Sequence, residues 1–282
     1  MRTISVLNFK GGVGKTSTAT NVAHALARRG VPVLLIDCCL QANTSSLLPE
    51  IDGPTLTHVL RGQAPLEATI RQARENLWVV PADMHLDKAG NHIVAEGRRA
   101  YYRLRGDVQK LTGFAFVLLD HAPTYSAVSE AGLLASDEML IPVELATFPV
   151  EGLLGMLDKL GDDLVDHTLA ITGIVPAKLN RGHKMHRDYL RDLGDTFGAK
   201  VLRPIRTDTA VEHAQAYHQT VVEYNPRSKA ARDFRIVAAT VAGLPLEDED
   251  EKATAAEGTE AEREDVAPVT ATVSAAERTV TA

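Results

Sequence analysis

The chain has 282 residues, enough for one large domain or two small ones, with 45% hydrophobic and 24% charged residues and few aromatics, as in ordinary globular proteins. No stretch approaches roughly 18 unbroken apolar residues, so a membrane span is not expected. The two cysteines, Cys38 and Cys39, are adjacent, which suits neither a disulfide framework nor a spaced metal site and points to a reducing compartment.

In chain order, a strand-like run, Thr3 to Leu7, comes first with no signal-peptide pattern before it. Short apolar runs follow at Val33–Ile36, Leu77–Val80, Phe116–Leu119, Glu138–Val143 and Leu169–Val175. Such runs fit strands buried on both faces. Helical stretches lie between them at Lys15 to Arg29, about Arg98 to Leu111, Glu151 to Leu164 and His183 to Leu193. The alternation predicts an α/β fold: a doubly wound, mostly parallel sheet with helices on both faces. This domain is expected to cover residues 1–246. From Glu247 onward, eleven acidic residues face three basic ones, a balance of −8. The body therefore carries +1 although the whole chain carries −7, and residues 247–282 read as an acidic, disordered tail.

The sharpest motif is Lys10-Gly11-Gly12-Val13-Gly14-Lys15-Thr16-Ser17, set between an apolar strand and a helix. Glycines let a phosphate approach the backbone, and the helix N-terminus turns free N–H groups toward it. Lys15 would neutralise the β- and γ-phosphates of a nucleotide, and the Thr16 hydroxyl would reach Mg²⁺. The first glycine of the common phosphate-loop pattern is replaced by Phe9, and Lys10 appears within the loop.

This loop resembles the deviant phosphate loop of the ParA/MinD family of dimerising ATPases. Further resemblance lies in Phe114 to Pro123, in Ala135 through Glu144, in Val150-Glu151-Gly152-Leu153, and in Tyr224 through Ala231, and it favours the ParA branch. It implies a P-loop NTPase fold binding ATP and Mg²⁺, with Thr16, Asp37 and Asp120 at the metal. It also implies that Lys10 reaches the partner's nucleotide in an ATP-sandwich homodimer. The family usually carries Asp-x-Asp-Pro-Gln after its second strand, but here Asp37-Cys38-Cys39-Leu40-Gln41 places Cys39 at the second aspartate. That aspartate positions the attacking water, and a neutral thiol orients water weakly. Slow hydrolysis is therefore expected, with Lys10, Lys15, Asp37 and Cys39 as the catalytic positions, unless Asp37 or a partner compensates.

The family also binds duplex DNA without sequence preference. From Lys178 to Arg235 there are twelve Lys/Arg against seven Asp/Glu. Arg181, Lys184, Arg187, Arg203, Arg206, Arg227, Lys229 and Arg232 are the candidate DNA contacts. A helix-turn-helix reader of specific operators is not expected, because the phosphate loop begins at residue ten. The resemblance implies cytoplasmic, nucleoid-associated action on a plasmid, chromosome or other cargo, with a ParB-like adaptor. Two rival readings are a non-hydrolysing ATP-bound scaffold and a MinD-like ATPase at a membrane. The second would require a basic amphipathic C-terminus, which the acidic tail does not supply. Trp78 reads as a core residue, and the histidines show no metal-ligand spacing.

Overall fold

The computed structural model describes residues 1–146, 149–164, 166–248 and 250–251. Its elements are β1 (Arg2–Val6), α1 (Lys15–Ala27), β2 (Val33–Cys38), α2 (Leu56–Leu60), β3 (Arg71–Arg74), β4 (Leu77–Val80) and α3 (Leu86–Glu96). Then come α4 (Arg98–Tyr101), α5 (Arg103–Val108), β5 (Phe116–His121), α6 (Ala127–Ala135), β6 (Glu138–Glu144) and α7 (Pro149–Asp163). The last are β7 (Ala170–Ala177), α8 (Lys184–Phe197), α9 (Thr209–Ala216), α10 (Val221–Tyr224) and α11 (Lys229–Ala242).

The sheet runs β3-β4-β2-β5-β1-β6-β7, and all its pairings are parallel except β3 against β4. Alternate residues of the parallel strands feed opposite layers, so both faces need cover. Ile4, Val6, Leu35, Val79 and Leu118 pack under α1 and α11, where Ala19, Ala23, Ala231, Phe234 and Val237 meet them. Leu34, Ile36, Val117 and Leu119 face α2, α3, α5 and α6. Toward the β7 edge, Met139, Ile141 and Ile174 are covered by Leu153, Met156 and Leu160 of α7 and Leu193 of α8. The predicted doubly wound architecture is the observed one.

Three details differ from the sequence expectation. The single helix expected over Arg98 to Leu111 is two short ones that meet at Tyr102. Strand β3, with the sequence Arg-Gln-Ala-Arg, has no apolar alternation; it is an edge strand held by backbone pairing to β4. Helices α3 and α6 also escape the apolar-run reading. Helix α3 buries only Leu86, Ala89 and Ile93, and α6 is short and started by Ser126, whose side chain accepts the Ser129 N–H. Trp78 packs edge-on against Phe114, at 5.4 Å between centroids, on the core as expected.

The proposed tail boundary falls where the chain still touches the body. Arg235 Nε donates to Asp250 Oδ2 at 2.8 Å, Asp250 is buried, and Arg29 lies 3.9 Å from Glu247. Residues 249 and 252–282 lie outside the described residues. Among the described residues, no helix is long and apolar enough to cross a membrane.

Helix α1 is fixed to the α10 region by a buried histidine: His24 Nδ1 and Thr220 Oγ1 are 2.7 Å apart. Burial lowers the His24 pKa to about 4, with the Glu223 carboxylate partly opposing it. The unfolded chain, with an ordinary histidine pKa near 6.5, binds this proton more readily than the folded one. His24 thus contributes stability above about pH 6.5 that is lost as pH falls toward 4. Urea unfolding should show the native chain losing about 2 kcal/mol more than His24→Asn between pH 7.5 and pH 5. Parallel pH profiles for the two proteins would refute this assignment.

Candidate functional site: a phosphate loop facing two buried aspartates

The C-terminal ends of β1, β2 and β5 bring three loops to one edge of the sheet, the edge where ligands bind in open α/β sheets. After β1 the chain enters the phosphate loop. Asn8 ties it to β6 by donating from Nδ2 to Pro142 O at 2.8 Å, and its Oδ1 accepts the Lys10 N–H at 2.9 Å. Gly12 (φ 72°) and Gly14 (φ 92°) take left-handed conformations that a side chain would strain. Gly14 caps α1, and among the described residues no side chain caps that N-terminus. The first-turn N–H groups are therefore left to a ligand, as an anion site requires.

Lys15 is buried, and its Nζ donates to Lys10 O at 2.8 Å. Burial lowers its pKa, while Asp120 and Cys39 work against that. Thr16 opens the same helix beside Asp120, close enough for its hydroxyl to favour the ionised aspartate. Ser17 Oγ accepts from Gln215 Nε2 of α9 at 2.8 Å.

Asp37 and Asp120 stand opposite each other in the β2–β5 register, both fully buried. Burial raises both pKa values, and the charge of Asp37 adds to burial in pushing Asp120 up. Their hydrogen bonds divide the roles. Asp37 Oδ1 accepts the Cys39 N–H at 3.0 Å, and Oδ2 accepts both Ser45 N–H and Ser45 Oγ–H, at 2.8 and 2.7 Å. Asp120 Oδ2 accepts from Thr44 Oγ1 at 2.7 Å, whereas its buried Oδ1 has no hydrogen-bond partner among the described residues.

An orphaned carboxylate oxygen beside Thr16 and Lys15 fits a divalent cation at Asp120. Asp37, expected both at the metal and at the reacting centre, is held differently. Its two oxygens already accept three donors from the chain, so its visible role is to fold residues 39–45 back over the site. Thr44 and Ser45, which make that fold possible, belong to no motif legible in the sequence. The hydroxyl-rich run Thr44-Ser45-Ser46 beside the site was the available signal.

Cys39 sits on this loop, 8% exposed, with its carbonyl accepting the Ala42 N–H at 3.0 Å. Burial is the main cause that pushes its thiol upward, and Asp37 and Asp120 add to it against the Gln41 N–H. Cys39 is thus a neutral thiol, not a thiolate. Both cysteines are free.

The fold agrees with that of similar proteins. A family model described as an AAA domain matches residues 1–169. The ParA family protein of Chlamydia pneumoniae is 32% identical over 245 residues, spanning 83% of this chain and 94% of its own length. The chain belongs to the ParA/MinD family of partitioning ATPases. Another member, the chromosome partitioning protein ParA of Caulobacter vibrioides, is 29% identical over 252 residues, covering 86% of this chain and 94% of that one. Among solved structures of the family, the septum site-determining protein MinD of Pyrococcus horikoshii, complexed with Mg-ADP, superposes with a TM-score of 0.70 at 26% identity. That match covers 85% of this chain and 95% of that one. An ATP complex of McdA from Cyanothece gives a TM-score of 0.76 at 23% identity, covering 88% and 98%, and speaks for the fold alone.

In this ParA/MinD member the candidate DNA contacts fall into two groups. Arg181, Lys184 and Arg187, around the start of α8, are exposed, as are Arg227 and Lys229 at the start of α11. Leu179, just past β7, bonds through its N–H to Ile205 O, and Arg206 Nη2 reaches Lys229 O at the start of α11. Arg232 is half-buried one turn further along α11. Arg203 and Arg206 turn inward instead. Arg203 Nε donates to Asp233 Oδ1 at 3.0 Å, and Arg206 Nε and Nη2 donate to Oδ2 and Oδ1 at 2.8 and 2.9 Å. Asp233 is fully buried, so these two arginines neutralise an internal charge rather than present one to solvent.

This arrangement predicts opposite outcomes for neighbouring arginines. Arg206→Ala leaves a buried carboxylate short of donors and should cost roughly 3 kcal/mol in urea unfolding. Arg227→Ala, on the surface, should stay within about 0.5 kcal/mol of the native chain. Equal small effects would show that Arg206 is not a structural partner of Asp233.

Proposed function

We propose that this chain is an ATP-gated positioning ATPase that closes into a nucleotide-sandwich homodimer and, once closed, holds non-specific duplex DNA. The observation that carries the reading is the loop itself: an uncapped helix N-terminus, a buried Lys15 and an additional lysine, Lys10, on one phosphate site. In this reading Lys15 and the first-turn N–H groups of α1 hold the β- and γ-phosphates of the subunit's own ATP. Lys10 crosses to the nucleotide of the other protomer and makes the polyphosphate the adhesive between subunits. Thr16 and Asp120 would hold Mg²⁺, which supplies charge neutralisation for the phosphoryl group. Lys15 also offsets the negative charge of Asp120 in the buried site.

The exposed cations Arg181, Lys184, Arg187, Arg227 and Lys229 form the DNA face, binding phosphates through charge and counterion release with little base readout. Relatives named as chromosome-partitioning proteins support a use in cargo positioning; in this reading it takes place on the nucleoid, with a ParB-like adaptor stimulating turnover. Binding to random-sequence duplex DNA tests the reading directly. With ATP and Mg²⁺ it should appear and weaken steeply with salt; with ADP or no nucleotide it should be absent. Equal binding in all three states would remove the gate, and no binding would remove the DNA face.

Hydrolysis is the slow step of this cycle. A neutral, buried Cys39 accepts a hydrogen bond from water poorly, and Asp37 is occupied by Cys39 N–H and Ser45. Cys39→Asp should raise the ATP turnover number by at least tenfold, an effect consistent with restoring one positioned general-base contact. Native turnover equal to that of the variant would mean that another group orients the water. The same thiol favours one second reading, a scaffold that stays ATP-locked, for which native turnover would be undetectable even with adaptor and DNA present.

A further inference from the structure

Glu144 has no place in the site described above, yet it touches the residue on which the sandwich depends. It ends β6, the strand to which Asn8 fastens the phosphate loop. Its Oε2 lies 3.6 Å from Lys10 Nζ, and its Oε1 accepts from Lys178 Nζ at 2.9 Å. Lys178, just past the end of β7, has φ 58°, a left-handed conformation unusual for a side chain of that size. A hydrogen bond from Lys178, with further help from the charge of Lys178 and then of Lys10, holds the Glu144 carboxyl below the usual range, so it is ionised at neutral pH. The result is a row of three charges, ammonium–carboxylate–ammonium, spanning the ends of three elements.

From this row we propose that Glu144 is a positioning residue that holds Lys10 within its own subunit until ATP-driven dimerisation draws it across. The proposal rests on the sandwich reading given above and adds its regulation. Two anions brought to one ammonium repel each other, so drawing Lys10 to a partner's polyphosphate competes with its contact to Glu144. Lys178 keeps Glu144 paired after the exchange, so leaving it does not strand a lone carboxylate near the nucleotide. The Lys10 and Lys178 side chains are about half exposed, so water screens the contact and its effect is a threshold, not a lock. A contact of this kind is expected to shift the dimerisation midpoint about two- to fivefold.

Two full-length variants test it in opposite directions, Glu144→Gln and Lys178→Gln, each with two readouts. In the nucleotide-free protein, the rate of Lys10 acetylation by acetic anhydride, normalised to the exposed Lys88, should rise in Glu144→Gln and fall in Lys178→Gln, where Lys10 becomes the only ammonium on Glu144. In sedimentation titrations, the ATP·Mg concentration for half-dimerisation should fall about two- to fivefold in Glu144→Gln and rise in Lys178→Gln. Unchanged Lys10 labelling in Glu144→Gln would overturn the contact. Faster labelling with an unchanged midpoint would overturn its regulatory role. If the native chain does not dimerise with ATP, the sandwich reading itself fails and the regulation falls with it, while the labelling arm still decides whether Glu144 restrains Lys10.

Discussion

Two carboxylates facing each other at the buried ends of adjacent parallel strands are the constraint around which this molecule is arranged. Asp37 and Asp120 cannot both remain ionised in a dry site without donors or cations to compensate them. The chain answers on two sides. Residues 39–45 fold back so that Cys39 N–H and the Ser45 N–H and hydroxyl satisfy Asp37, while Thr44 donates to Asp120. Lys15 supplies positive charge from the phosphate loop. The oxygen left over, Asp120 Oδ1, is where a divalent cation has a reason to bind.

The same arrangement explains why Cys39 matters more than one substitution on a loop ordinarily would. The turn that satisfies Asp37 also fixes Cys39 within the site, largely out of water. A thiol there keeps its proton because burial and two nearby carboxylates disfavour a further negative charge. The proposed reading separates binding from chemistry: the phosphate loop keeps its glycines and lysines, while the position expected to orient water carries a protonated thiol. In the proposed cycle the closed state lasts as long as ATP stays unhydrolysed, so one neutral side chain would set its lifetime.

Charge is managed on the outside by the same logic of pairing. Asp233, fully buried in α11, recruits Arg203 and Arg206, and Arg235 engages Asp250 where the acidic segment begins. These inward pairs thin the basic stretch that a residue count suggests. Of the candidate DNA contacts, the exposed ones, Arg181, Lys184, Arg187, Arg227 and Lys229, lie around the starts of α8 and α11. Lys10 and Lys178 share Glu144, so the loop lysine is paired within its own subunit.

Local chemistry made much of this protein legible in its sequence. The phosphate loop could be read because glycines, lysine and threonine at fixed spacing between a strand and a helix have a single well-known use. The central strands could be read because burial on both faces demands unbroken apolar runs such as Val33–Ile36 and Phe116–Leu119. Asp120 was visible because it terminates such a run within a familiar motif. Strand β3 was not visible, since an edge strand is defined by backbone pairing with β4 and needs no apolar signature. Nor could the sequence tell Arg206, bound to a carboxylate 27 residues away, from Arg227, which faces water. The three donors that hold Asp37 come from the fold of residues 39–45, and Glu144 looked unremarkable until β6 and β7 carried it between two lysines. Periodicity and motif spacing report what a residue meets nearby along the chain, whereas the partner of a charged side chain is chosen by the packing of distant segments, and only the tertiary structure decides that.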